Sequence, residues 1–89
     1  MSRYSRNKSN LRQIEGRHSV IETLLSNKKV SYIDVSESNN ESSQIEKIIS
    51  LANSKNITIN FVSKKSIEKK SSTKKSQGVI LYLDDNYQS

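Results

Sequence analysis

Two short stretches of this 89-residue chain combine residue types that could engage a phosphate-bearing polymer. The first is Ile14-Glu15-Gly16-Arg17-His18-Ser19-Val20-Ile21-Glu22-Thr23-Leu24, where a glycine leads into a helical pattern whose first residues are basic or able to donate hydrogen bonds. A helix start presents free N–H groups and the positive end of the dipole, which favours phosphate. Arg17 would add a bidentate guanidinium fork at the same place. The second stretch is Lys74-Lys75-Ser76-Gln77-Gly78-Val79, a lysine pair and a glutamine leading straight into an apolar run. Gly78 there would let another backbone or a ligand approach closely. Each stretch taken alone also has a plainer reading: Gly16 makes only a turn beside a solvated Arg17, and the lysines form an ordinary charged loop.

Other chemistry is poorly supplied. His18 is the single histidine and cannot form a triad, and cysteine is absent, so a thiolate nucleophile, a disulfide framework and a thiolate metal site are all excluded. The HExxH, GxGxxG and P-loop patterns are missing. Asp84 and Asp85 are adjacent carboxylates, read as a solvated strand end because a metal site needs further ligands. No catalytic, cofactor-binding or metal-binding residue is therefore assigned.

The formal charge of +6 is unevenly distributed. Residues 1–17 carry Arg3, Arg6, Lys8, Arg12 and Arg17 against Glu15, and residues 63–78 carry Lys64, Lys65, Lys69, Lys70, Lys74 and Lys75 against Glu68. Between them the chain is more acidic, with Asp34, Glu37, Glu41 and Glu46. Two basic ends suit a polyanion. No apolar stretch approaches the roughly 20 residues of a membrane span, and the N-terminus has no signal-peptide pattern.

The elements that must position these residues follow from periodicity. Met1 to Gln13 is polar, basic and aperiodic, and is expected to be a flexible arm over residues 1–13, with ordered structure from Ile14. Val20, Ile21, Leu24 and Leu25 predict a helix over residues 18–27. Val30 to Ser36 has strand alternation. Ser43 and Glu46 form a capping-box pattern for a helix to Ser54. Ile57, Ile59 and Phe61 alternate with Thr58, Asn60 and Val62 as in a half-buried strand, and Ser63 can cap a short helix to Lys70 anchored by Ile67 alone. Val79 to Leu83 is a continuous apolar run, as in a strand covered on both faces. Alternating helices and strands predict an α/β domain with a mainly parallel sheet sandwiched in three α/β/α layers. Residues 84–89 read as the start of a linker.

The first stretch resembles the Gly-x-His-small-Val-x-Glu-Ala-Leu opening of the substrate-binding domain of SpoU (TrmH-family) RNA ribose 2'-O-methyltransferases. The second resembles that domain's closing His-Gln-Gly-Val/Ile. The likeness covers about residues 13–83, including the Ile-Thr-Ile-Asn-Phe-Val strand and the Ile-Glu-Lys-Lys-Ser helix end. Gly16, His18, Gln77 and Gly78 match the motifs, whereas Ser76 replaces the usual histidine and Ser19 and Thr23 replace common alanines. The resemblance implies a ribosomal protein L30e-like fold over residues 14–83. It also implies an RNA partner, large-subunit ribosomal RNA, in enzymes most like those that methylate a guanosine ribose.

The knotted domain that binds S-adenosylmethionine in such enzymes has no counterpart among these residues. This chain alone is thus expected to bind RNA without catalysis and to need no cofactor or metal. The parent enzyme would be homodimeric through the missing domain, in a bacterial cytoplasm or alternatively a plastid or mitochondrion. On this reading Arg17, Lys74 and Lys75 contact phosphates, His18, Ser76 and Gln77 contact ribose or base edges, and Gly16 and Gly78 shape the backbone. Tryptophan is absent and aromatics are few, so broad base stacking should not dominate. The rival readings are a freestanding L30e-like RNA-binding protein and a basic protein-docking domain.

Overall fold

In a computed structural model, which describes residues 11–38, 42–73 and 75–84, the chain runs through seven elements. They are β1 (Leu11–Glu15), α1 (Arg17–Leu25), β2 (Val30–Ser36), α2 (Ser43–Ser54), β3 (Thr58–Val62), α3 (Lys64–Lys70) and β4 (Val79–Asp84). The sheet order is β1-β4-β2-β3, which puts the most apolar strand between two neighbours. Alternation along β4 sends Val79, Leu81 and Leu83 to one face, where they pack with Val20 and Leu24 of α1 and Ile45 and Ile48 of α2. Ile80 and Tyr82 face the other way, onto Ile67 of α3. The result is three layers, with α1 and α2 on one side of the sheet and α3 on the other. Among the described residues, no helix is long and apolar enough to cross a membrane.

The sheet is mixed, which corrects the expectation of a mainly parallel one. β2 and β3 pair in parallel around the α2 crossover, but β4 runs antiparallel to both β1 and β2. The cause lies in α3. Seven residues of helix span only about 10 Å and do not run back along a strand. Instead α3 leaves the C-terminal end of β3 and crosses the sheet sideways to reach β1, where Gln13 Nε2 donates to the Lys70 carbonyl at 2.8 Å. β4 then enters at the end where β1 and β2 finish.

β1 is a second correction. Leu11, Arg12 and Gln13, assigned to the flexible arm, are strand, and the rest of that arm lies outside the described residues, as does the expected linker beyond Asp84. β1 is an edge strand, so only its inner neighbour and one face demand apolar residues. Its Ile14 packs on the α1–α2 core, while Gln13 and Glu15 point to the α3 side. A third correction is small: the N-cap of α2 is Ser42, whose hydroxyl accepts from the amides of Gln44 and Ile45, rather than Ser43. Ser63 caps α3 as expected, accepting from the Ser66 amide.

Candidate RNA-binding cleft

The register of β1 on β4 brings the two motif stretches together. Glu15 lies opposite Ile80, so the chain leaves β1 beside the point where it enters β4. Gly16 makes the turn into α1 at φ +98°, a conformation that other residues rarely adopt. Its amide donates to the Val79 carbonyl at 3.4 Å. A Cβ at Gly16 would sit 3.4 Å from the Lys75 carbonyl and 3.5 Å from Gln77 Oε1, ordinary contact distances, so the positive φ rather than lack of space is what calls for glycine. Having no side chain, Gly16 cannot cap α1, and Gln77 does so instead. The Arg17 amide donates to Gln77 Oε1 at 2.9 Å, and Arg17 Nε donates to the Gln77 carbonyl at 3.3 Å. To reach this place Gln77 adopts φ 54° and Gly78 follows at 83°.

Beside this joint a cleft of about 540 Å³ opens between the start of α1 and α3. Arg17, Gln77 and Gly78 form one wall, and Lys64, Ile67 and Glu68 of α3 the other. Ser36 and Ser38 line it from the end of β2, with their hydroxyls 3.0 Å apart, and Ser71 and Ser76 complete it. The wall at Gly78 is tied to β2, because the Ser36 amide donates to the Gly78 carbonyl at 2.8 Å. Ser76 is buried, its hydroxyl accepting from the Gly78 amide at 3.4 Å, so the residue standing where the related motif has histidine shapes the turn.

The loop that leads from α3 towards the cleft is clasped by one carboxylate. The Glu15 oxygens accept from the Ser71 hydroxyl at 2.7 Å, the Ser72 amide at 2.8 Å and the Thr73 hydroxyl at 2.7 Å. Longer bonds from the Ser72 hydroxyl and the Thr73 amide add to these. Partial burial pushes the Glu15 carboxyl up, but the Ser72 amide, the Ser71 and Thr73 hydroxyls and the Thr73 amide together outweigh it. They hold its pKa at about 2.

α3 is held to the sheet by a second carboxylate, the buried Asp34. Lys70 Nζ lies 3.1 Å from Asp34 Oδ2, and Asn60 Nδ2 donates to Asp34 Oδ1 at 3.2 Å. Tyr82 stacks on Tyr32 at 4.5 Å between centroids, and burial, then the nearby Asp34 charge, pushes its phenol up to about 12.

Of the residues singled out by sequence, Arg17, Ser76, Gln77 and Gly78 line the cleft, and Gly16 closes against their backbone. Lys75 is exposed, and its amide donates to the Thr73 hydroxyl at 3.1 Å, but its side chain is not in the wall. His18 is exposed on α1, its Nε2 at 3.0 Å from Glu22 Oε2, and does not line the cleft. Lys74 lies outside the described residues. Sequence reasoning missed Lys64 and Glu68, which share a face of α3 by their i,i+4 spacing, and the Glu15 clasp. Only the sideways course of α3 brings these groups to the two motifs.

The cleft offers a guanidinium, an ammonium, several hydroxyls and one carboxylate beside the apolar Ile67, a set suited to phosphate, ribose and base edges together. A comparison with curated proteins returns no match. The family model for RNA 2'-O ribose methyltransferase substrate binding matches residues 13–88, which includes both cleft walls. The chain belongs to that family of RNA 2'-O ribose methyltransferase substrate-binding domains, and RNA is its partner.

Proposed function

We propose that this chain recognises large-subunit ribosomal RNA for an S-adenosylmethionine-dependent methyltransferase that modifies a guanosine ribose, and that it holds the substrate without performing the transfer. The observation that carries this reading is the convergence of the two motif stretches at one cationic cleft, where Gln77 caps the helix that begins with Arg17. Phosphate contacts by Arg17, Lys74 and Lys75 supply affinity and position, and polar groups in the cleft supply discrimination. The cofactor belongs with a separate catalytic domain, through which the parent enzyme would be homodimeric, in a bacterial cytoplasm or in an organelle.

Binding of the chain to large-subunit ribosomal RNA hairpins and to unrelated hairpins across a salt series tests the proposal. A preference for a ribosomal hairpin that persists as salt rises is the expected result. Equal, steeply salt-dependent binding to every hairpin would refute substrate recognition and favour docking of the basic surface to an acidic protein.

A further inference from the structure

The cleft between α1 and α3 contains one group that phosphate would avoid. Glu68 stands one helical turn from Lys64, on the same α3 wall as Ile67. Among the described residues no ion pair engages Glu68, although Lys64 occupies the i−4 position. The carboxylate therefore faces a cleft whose other charged groups, Arg17 and Lys64, are cations. An ionised carboxylate only accepts hydrogen bonds. An RNA segment whose phosphate sits on those cations can then place a hydrogen-bond donor edge of its base on Glu68.

The four bases differ on this point. Guanine carries N1–H and N2–H side by side on its Watson–Crick edge, matched to the two oxygens of a carboxylate. Adenine and cytosine offer one amino group next to a ring acceptor, and uracil offers one N–H between two carbonyls. In each of those three a second carboxylate oxygen would meet a lone pair rather than a hydrogen. The Watson–Crick edge is free only in unpaired RNA, which is the form that sequence-specific RNA recognition targets. A cavity of about 540 Å³ lies within the range of about 300–1,000 Å³ usual for small-ligand sites, so one nucleotide fits.

We infer that this cleft takes a single unpaired guanosine of the RNA, with its edge on Glu68 and its phosphate on Arg17 and Lys64. This inference rests on the RNA-binding reading above and adds a base specificity to it. The nucleotide concerned is one used for recognition and need not be the one methylated.

Nine-nucleotide oligouridines carrying one central guanosine, inosine, adenosine or cytidine, titrated with the full chain and followed by fluorescence anisotropy, provide the test. Guanosine should bind about tenfold tighter than adenosine, cytidine or plain oligouridine, with inosine in between because it lacks the N2 amino group. Glu68→Gln should bring that preference within about twofold, while Arg17→Ala weakens all five RNAs alike. Equal binding of the five, or a guanosine preference that survives Glu68→Gln, overturns the guanosine assignment and leaves RNA binding standing. No binding to any of them or to ribosomal hairpins would remove the RNA reading itself.

Discussion

Gln77 does two things with one side chain, and they can be separated by substitution. Its Oε1 caps the first amide of α1, and its position at the cleft wall would place it against RNA bound there as proposed. Gln77→Ala removes the cap and should lower stability by about 1 kcal/mol, read as a reduced urea midpoint. Gln77→Glu keeps an acceptor for the Arg17 amide and adds negative charge at the helix start, which the dipole tolerates or favours. Its midpoint should hold while RNA affinity falls, because the new charge repels phosphate; a parallel loss of both would show that Gln77 acts only through folding. Glu15 gives a second prediction. Its folded pKa of about 2 lies below the roughly 4.3 of an unperturbed glutamate, so its contribution is complete above the latter and disappears as pH falls towards the former. Glu15→Gln should therefore cost about 2 kcal/mol near neutrality, and the gap to wild type in urea unfolding should close between pH 4.5 and pH 2, to about the same stability at the bottom. Sequence pointed to Gln77 and Gly16 because glutamine and glycine there matched a recognisable pattern. It passed over Glu15, since a carboxylate and three hydroxyl-bearing residues some 56 positions away have no local signature.

Among the elements, α3 has the most leverage on the cleft and the least anchoring. Ile67 is its one buried residue, supported by the Asp34–Lys70 ion pair and the Gln13 bond to its last turn. Ile67→Ala should cost about 3 kcal/mol through reduced burial and the cavity left under Ile80 and Tyr82. Because α3 carries Lys64 and Glu68, this variant should also lose RNA affinity even at temperatures where circular dichroism still reports the α1–α2 half as folded; intact binding there would detach α3 from the site. α1, α2 and the inner strands were legible because each carries a full apolar stripe or run, from Val20 and Leu24 in α1 to the five buried residues of β4, and α3 through its Ser63 cap and the single anchor Ile67. β1 was not, because an edge strand flanked by polar residues, with Ile14 as its described core contact, has too little alternation to register. The direction of β4 was also hidden, since periodicity finds strands but says nothing of which end the chain enters. That depends on the course that α3 and the loop after it take across the sheet.

Across the whole molecule, the charge excess of +6 is a long-range term, and its effect on binding is set by where the cations lie relative to the cleft. Arg17 and Lys64 are in the cleft walls, Lys75 is exposed on the approach to it, and His18 is engaged with Glu22 on the outer side of α1. Counterion release makes these positions distinguishable, because each neutralised phosphate adds about 0.7–0.9 to the slope of log affinity against log salt. Lys74→Ala with Lys75→Ala should flatten that slope by about one unit for every phosphate the lysines had neutralised, while leaving the choice among RNAs unchanged. That is the behaviour of residues that attract the backbone without reading it. Arg17→Ala should flatten the slope by about one unit and also weaken binding at high salt, since its guanidinium has a fixed place beside Gln77 from which to hold one phosphate in register. His18→Ala should change neither quantity, because its imidazole faces a carboxylate rather than the cleft. A slope altered by His18→Ala and untouched by Arg17→Ala would move the interface to the outer face of α1, away from the joint between the two motifs. With the expected order, affinity comes from the basic approach and selectivity from the cleft, so raising salt should remove non-cognate RNAs first.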